Sequence, residues 1–320
     1  MRVEVTKLPE NFLDRLKYIF PTKRYHELVN TFAFKKPVSF RINTSKTSPA
    51  QAKEEFAKYH LKVFPVSWYR EAFLTHYPIQ KLMKLPLYQE SRIYVQRLSS
   101  MIPPLVLKPS KNDLVLDMAA APGSKTLQIS NMMNNEGLII ACDKDEIRTE
   151  KLLYNIEKQG AKNVRVRMMD SSSIWKEYPE YFDKVLLDAP CSSEGRFYIH
   201  DPKTYYHWSE DFIKKLSHLQ KKLIAAGLVS LKVGGELVYS TCTFAPEENE
   251  GVIDWVIQMV GDRVEITEPR IKLSNLQPAV LTWHGKNFAK KVNLTTRILP
   301  NKEMEGFFVC KIRKIKQIKV

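Results

Sequence analysis

The order of apolar and polar positions divides this chain into a regular part and a less regular one. Beyond residue 106, short apolar runs alternate with longer amphipathic stretches. The runs at 114–117, 137–142, 164–168, 184–187, 236–240 and 307–312 have strand length. The stretches at 124–133, 145–159, 209–231 and 246–260 repeat their apolar residues at helical spacing. Gly160 and the Gly234-Gly235 pair punctuate helix ends, and Pro246 suits a first helical turn. Strands alternating with helices predict an α/β fold with a doubly wound, parallel sheet.

Upstream the pattern is weaker. Residues 12–20 are amphipathic, 38–43 alternate as a strand does, 49–59 read as a helix and 61–66 as a second strand. This predicts a smaller N-terminal α+β domain. Its cations Arg41, Lys46, Lys53, Lys58 and Lys62 suit an anionic substrate. The prolines of Met101-Ile-Pro-Pro-Leu-Val-Leu-Lys-Pro109 argue against a continuous helix, so the border is set at 1–105 and 106–320. The sequence shows neither an internal repeat nor a low-complexity segment.

Composition narrows the class. The chain has 320 residues, 44% of them apolar, enough for a full core. No apolar run has membrane-spanning length, and Met1-Arg-Val-Glu-Val-Thr-Lys7 lacks a signal-peptide core. We expect a cytoplasmic monomer with no membrane partner. Four cysteines without a Cys-x-x-Cys pair exclude a disulfide framework, and seven scattered histidines give no support to a metal site. The net charge of +15, from 50 Lys and Arg against 35 Asp and Glu, favours a polyanion such as RNA. Lys311-Ile-Arg-Lys-Ile-Lys-Gln-Ile-Lys319 alternates with period two, which predicts an edge strand with a wet basic face.

Chemistry gathers at strand ends. Asp117-Met-Ala-Ala-Ala-Pro-Gly123 follows the first regular strand and opens a helix, a corner suited to a nucleotide. It is neither a phosphate-cradling loop nor a three-glycine dinucleotide fingerprint. Asp143, twenty residues after Gly123, ends the next strand and suits ribose hydroxyls; Asp170, past the third, suits an adenine amino group. A nucleoside cofactor without diphosphate fits this set, and S-adenosylmethionine is one. Arg148 reads first as a solvated helix residue and, as the alternative, as a neighbour of this pocket.

Two cysteines also lie just past strands, in Asp188-Ala-Pro-Cys191-Ser-Ser-Glu-Gly195 and Ser240-Thr-Cys242-Thr-Phe244. If the three segments are neighbouring strands, both thiols and the cofactor turn face one crevice. Cys142 and Cys310 lie inside strands and read as packing residues; Met168 and Met169 do likewise, near the pocket. A thiol, a carboxylate and S-adenosylmethionine together suit methylation of carbon 5 of a pyrimidine. A thiolate adding to carbon 6 makes carbon 5 nucleophilic. An acid or hydrogen-bonding group at ring nitrogen 3 stabilises the adduct. The thiolate needs a local basic group or helix terminus, and Lys125 is a candidate. This chemistry does not choose between the two thiols.

The motifs Asp117-Met-Ala-Ala-Ala-Pro-Gly-Ser-Lys-Thr126, Asp188-Ala-Pro-Cys-Ser-Ser-Glu-Gly195 and Ser240-Thr-Cys-Thr-Phe-Ala-Pro-Glu-Glu-Asn-Glu250 resemble the Sun/RsmB/RsmF (NSUN) family of RNA 5-methylcytosine methyltransferases. The likeness covers roughly residues 80 to 312, with weaker matches at Phe40-Arg-Ile-Asn-Thr44 and Pro65-Val-Ser-Trp68. It implies a Rossmann-like methyltransferase sheet acting on rRNA or tRNA. It implies Cys242 as the nucleophile and Cys191 as the thiol of product release. It assigns Ala119, Ala120, Ala121, Pro122, Gly123, Ser124, Lys125, Asp143, Asp170 and Asp188 to the cofactor, with Asp188 also at the base. Ser124 and Ser193 stand where many relatives have glycine. The loop Gly195-Arg-Phe-Tyr-Ile-His-Asp-Pro-Lys-Thr-Tyr-Tyr-His-Trp208 offers rings for stacking on a flipped or single-stranded base, or for packing on the core. Rival readings are a DNA cytosine-5 enzyme using Cys191, an amino-group methyltransferase, and an idle RNA-binding assembly factor.

Overall fold

A computed structural model describes residues 7–318. Residues 1–6 and Lys319, on which the signal-peptide and tail readings partly rest, lie outside the described residues. Along the chain come α1 (Glu10–Ile19), α2 (Thr22–Thr31), β1 (Val38–Ile42), α3 (Pro49–Lys58), β2 (Phe64–Pro65) and β3 (Ala72–Thr75). Then follow α4 (Ile79–Leu82), α5 (Pro86–Gln89), β4 (Ile93–Val95), α6 (Ile102–Leu107), β5 (Leu114–Asp117) and α7 (Ser124–Met132). Next are β6 (Leu138–Asp143), α8 (Glu146–Gln159), β7 (Val164–Met168), β8 (Phe182–Asp188), α9 (Glu210–Ser230) and β9 (Leu231–Thr241). Last come α10 (Glu250–Val260), β10 (Val264–Thr267), β11 (Leu276–Pro278), β12 (Thr282–Trp283), β13 (Lys286–Asn287), β14 (Thr296–Ile298) and β15 (Phe307–Lys314). Two compact units form: of the described residues, one holds 7–36, Ser172–Tyr181 and 187–318; the other holds Pro37–Ser171 and Phe182–Leu186.

In the second of these units, strands β8, β5, β6 and β7 lie side by side and parallel. Asp117 is level with Leu186 and Ala141, and Asp143 is level with Met168. Val115 and Leu116 are fully buried, as a strand covered on both faces requires. The parallel strand order expected from the pattern, Rossmann-like as the resemblance implied, is therefore present in this unit, whereas β15 in the other unit pairs antiparallel with β9, β14 and β10. The same unit holds an antiparallel sheet of order β2–β3–β1–β4. Phe40, Phe56 and Phe73 form its core, with Phe40 and Phe73 stacked at 5.9 Å. Ser48 caps α3 by accepting the Gln51 N–H, and Gln51 answers at the Ser48 N–H. The strand expected at 61–66 shrinks to Phe64 and Pro65, because Pro65 has no N–H to extend a ladder. Arg41 is not a solvent-facing cation: it is buried, and its Nε donates to Gln96 Oε1 at 2.9 Å. Lys46, Lys53, Lys58 and Lys62 are exposed.

The other unit carries β11–β14–β15–β9, with β10 also on β15, and the end of β8 beside β9. Its core joins Phe12, Leu16 and Phe32 of the N-terminal helical segment to Phe197 and Phe244. The Gly234-Gly235 pair does not close α9. The chain turns from Ser230 directly into β9 and buries Leu231 completely, so both glycines lie within the strand. Helix α10 starts at Glu250 rather than Pro246, because residues 246–249 form a turn in which Gly251 N–H donates to Pro246 O at 2.7 Å. The C-terminal edge strand predicted over 311–319 is strand only as far as Lys314, with 315–318 outside it, and the strand it belongs to is an interior one. Strand β15 pairs with β9 on one side and with β14 and β10 on the other. Its lysines are neutralised there: Lys314 is buried and meets Glu180 at 3.0 Å, and Lys311 meets Glu236 at 2.7 Å.

Arg297 on β14 clamps the start of α10. Its Nε and Nη2 donate to the two Glu250 carboxylate oxygens at 2.6 and 2.5 Å, and Nη1 donates to Phe244 O at 2.8 Å. Both side chains are buried. Arg297→Met would strand the Glu250 charge, and we predict a loss of about 3–5 kcal/mol. Urea denaturation monitored by tryptophan fluorescence checks this; an unchanged midpoint would refute it.

Candidate active site

Two strand ends place the thiols. Strand β8 ends at Asp188, three residues before Cys191, and β9 ends at Thr241, one before Cys242. Ala189 N–H donates to Ser240 O at 2.9 Å, and Ser240 Oγ donates to Asp188 Oδ1 at 2.8 Å. These bonds fix the two ends level with each other. The sulfurs of Cys191 and Cys242 are then 3.3 Å apart, and the Cys242 N–H donates to Cys191 Sγ at 3.3 Å. Both thiols are half-buried, whereas Cys142 and Cys310 are fully buried strand residues, as expected.

Two sulfurs this close disfavour a second negative charge, so the first proton to leave comes more readily from one sulfur than from the other. The Cys242 thiol is drawn below the usual range, first by the hydrogen bond with Cys191. The Arg196 charge and the Ser193 hydroxyl act in the same direction, against the effect of burial. The Cys191 thiol is pushed well up, first by its hydrogen bond with Cys242 and then by burial. The charge of Arg196, in the loop read as base-stacking, acts on Cys242 46 residues further along the chain, a separation at which no local pattern couples two groups. Lys125, the candidate activator, donates to Ser100 Oγ at 2.8 Å.

The loop after Cys191 is held by close backbone contacts. Gly195 N–H donates to Cys242 O at 2.9 Å. A Cβ on Gly195 would fall 2.3 Å from Gly306 O, so only glycine fits. Ser193 takes the left-handed conformation, with φ 60° and ψ 24°. Its Oγ lies 3.5 Å from Cys242 Sγ. Deeper in, Glu194 accepts from Trp208 Nε1 at 2.7 Å and Phe244 N at 3.0 Å, while Glu248 accepts from Gln220 Nε2 at 2.7 Å. The rings of the 195–208 loop divide as follows. Phe197 and Tyr205 belong to the core, with Phe197 4.8 Å from Phe12; Tyr206 is 77% exposed and is open to stacking.

The cofactor turn lies in the other unit. Ala120 N–H donates to Cys142 O at 2.8 Å, and Ala120 and Ala121 pack with Leu127 and Leu152. Gly123 has φ 106°, and a Cβ there would meet Leu152 at 3.0 Å. Ser124 opens α7. Ala119 is half-buried and Pro122 exposed. Asp143 is 4% exposed at the end of β6; it accepts from Ala121 N–H at 3.3 Å and Asp145 N–H at 3.2 Å. Arg148 is more than a solvated helix residue: it pairs with Asp143 at 3.1 Å and donates to Ala121 O at 3.1 Å. A carboxylate offers about four lone-pair directions. Asp143 therefore keeps capacity for a ribose hydroxyl, and the small-residue turn leaves its backbone approachable. The residues fit a nucleoside cofactor. Asp170 is exposed just past β7. Met168 is also exposed, contrary to its predicted packing role, because β7 ends that strand order.

Acidic strand ends, a small-residue turn and paired strand-end thiols define a methyltransferase of the Rossmann-like class. Residues 104–313 match the family described as 16S rRNA methyltransferase RsmB/F, and the chain belongs to that family. It is 40% identical over 280 residues to the tRNA (cytosine(49)-C(5))-methyltransferase of Pyrococcus abyssi, covering 86% of this chain and 88% of that one. It is 35% identical to ribosomal RNA small subunit methyltransferase F of Escherichia coli, covering 98% of this chain and 64% of the relative's length. A methyltransferase homolog protein from Pyrococcus horikoshii superposes with TM-score 0.83 at 34% identity, over 96% and 95% of the two chains. NSun6 from the same organism, solved with SFG, gives 0.80 at 25% identity, over 96% and 98%. S-adenosylmethionine is the cofactor of this methyltransferase.

Two substitutions test how the thiol is tuned. Arg196→Met removes a positive charge, and the pH midpoint of Cys242 alkylation by iodoacetamide should rise. Ser193→Gly should raise it as well, yet stabilise the fold by roughly 1 kcal/mol, because glycine takes the left-handed conformation without a Cβ clash. Mass spectrometry of the alkylated peptide and thermal unfolding read the two effects separately. Unmoved midpoints in both variants would remove these groups from the tuning.

Proposed function

We propose that this protein methylates carbon 5 of cytosine in rRNA or tRNA, with Cys242 as the nucleophile. The observation that carries the reading is the pair of strand-end sulfurs at 3.3 Å with opposite proton preferences. Residues 1–105 and the basic surface are the proposed RNA-holding parts, and we take the protein to be a cytoplasmic monomer. Among the described residues, no helix is long and apolar enough to cross a membrane.

The Cys242 thiolate adds to carbon 6 of the base and forms a carbon–sulfur bond. The electron pair of the carbon 5–carbon 6 double bond moves toward ring nitrogen 3, where Asp188 contacts the base. S-adenosylmethionine supplies an electrophilic methyl group. Ala119 to Lys125, Asp143, Asp170 and Asp188 are the residues that hold and orient that cofactor. With a methyl group on carbon 5, the carbon-5 proton must leave. The carbon–sulfur electrons then return to Cys242 as the double bond re-forms.

The proton preferences of the two thiols suggest how Cys191 serves the last step. The largest cause raising Cys191 is its hydrogen bond with Cys242. Once Cys242 is bonded to carbon 6, its negative charge is gone. Cys191 then gives its proton to solvent more readily, and the thiolate so formed takes the carbon-5 proton. The Pro-Cys thiol is thus suited to the end of the reaction rather than the start. Cys242 is suited to the start, because it is already the more acidic sulfur.

The experiment is incubation with RNA and methyl-labelled S-adenosylmethionine, followed by nucleoside analysis. We expect label in 5-methylcytidine; label in a methylated exocyclic amine would reject the reading. Cys242→Ala should lose methylation and the covalent RNA adduct. Cys191→Ala should instead accumulate the adduct, seen as a denaturation-resistant band on a gel. A Cys191→Ala protein that turns over normally would remove Cys191 from release.

A further inference from the structure

The carboxylates behind the thiols are joined by hydroxyls that do not bring enough protons. Glu248 Oε1 is bonded to Ser192 Oγ. Ser192 Oγ lies 2.7 Å from Thr243 Oγ1, which lies 3.0 Å from Glu194 Oε2. These are three oxygen–oxygen contacts in series, and each needs a proton. Ser192 and Thr243 bring one each. Were both carboxylates ionised, one contact would set lone pair against lone pair in a buried site. A carboxyl group supplies the third proton.

The other partners identify that group. Glu194 accepts from Trp208 Nε1 and from Phe244 N, as well as from Thr243, and it feels the charge of Arg15. Burial pushes the Glu194 carboxyl up, and this donor set works against it in favour of the anion. At Glu248 the two oxygens differ. Oε2 accepts from Ser192 N–H at 3.0 Å and Gln220 Nε2 at 2.7 Å, as a carbonyl oxygen does. Oε1 faces the Ser192 hydroxyl, with only a longer contact from Ser192 N at 3.3 Å, as a carboxylic O–H would. Glu194, Cys191 in the preceding loop and Tyr239 on β9 all interact with Glu248, and each disfavours its negative charge.

We propose that Glu248 is a neutral carboxylic acid at neutral pH and heads a one-way chain, Glu248 to Ser192 to Thr243 to ionised Glu194. It would act as a positioning residue. Ser192 and Thr243 directly follow Cys191 and Cys242, so the chain fixes the spacing of the two sulfurs. Burial, the largest cause, pushes the Glu248 carboxyl up to about 8. The inference rests on the proposed reaction only for its purpose, since the proton can be sought without RNA.

A carboxyl raised on folding adds stability that is complete below its unfolded value and is lost as pH rises through its folded value. Thermal unfolding of wild type and Glu248→Gln should be compared from about pH 5 to about pH 9, because glutamine keeps a neutral donor and acceptor there. The variant should gain melting temperature relative to wild type as pH rises through that window. A constant difference would overturn the proposal. If the variant does not fold, NMR titration of wild type with 13C-labelled glutamate side chains decides. One carboxyl carbon should titrate near about pH 8, and none above the ordinary range would overturn it. Positioning is read by linking Cys191 to Cys242 with a short bis-electrophile. Glu248→Ala should lower the yield several-fold and Glu248→Gln should retain it; equal yields in all three proteins would remove the positioning role.

Discussion

Two sulfurs lie 3.3 Å apart, within hydrogen-bond reach, and much of the surrounding architecture serves that arrangement. Their hydrogen bond makes one thiol more acidic and the other less. Neither residue would show this alone, since a buried isolated thiol is simply pushed up, as at Cys310. Arg196 and Ser193 bias the asymmetry toward an anionic Cys242. The pair is therefore one titrating unit rather than two separate groups.

Such a pair survives only if the loops that carry it cannot drift. The Asp188–Ser240 bond ties the two strand ends together. The Glu194, Glu248, Ser192 and Thr243 network ties the residues after each cysteine. Arg297 and Glu250 hold the far side of the Cys242 loop through Phe244 O. The bonds of the Glu194–Glu248 network and of Arg297 lie among buried groups, where an unsatisfied polar atom is costly. Polar burial here trades stability for a defined geometry of the thiols. Strand β15, interior and flanked on both sides, anchors β9 beneath the site.

The fold was legible where apolar runs were long and punctuated. Strands β5 and β7 match the pattern residue for residue, and α8 ends at Gly160 in the left-handed conformation. Short strands such as β3 and β4, with four and three residues, carry too little periodicity to be seen. Period two in the last strand revealed its conformation but not its place, because alternating lysines look wet until Glu180 and Glu236 are brought to them.

The sequence by itself determined the alternation of strand and helix, the kind of cofactor turn and the family, because those depend on local spacing and on motifs. Tertiary structure decided which groups meet. Arg196 lies 46 positions before Cys242 and Ser193 lies 49 before it, and no local rule couples residues that far apart. Only the folded chain brings charge, hydroxyl and thiol within a few ångströms. At that range their mutual energy is large enough to settle where a proton resides.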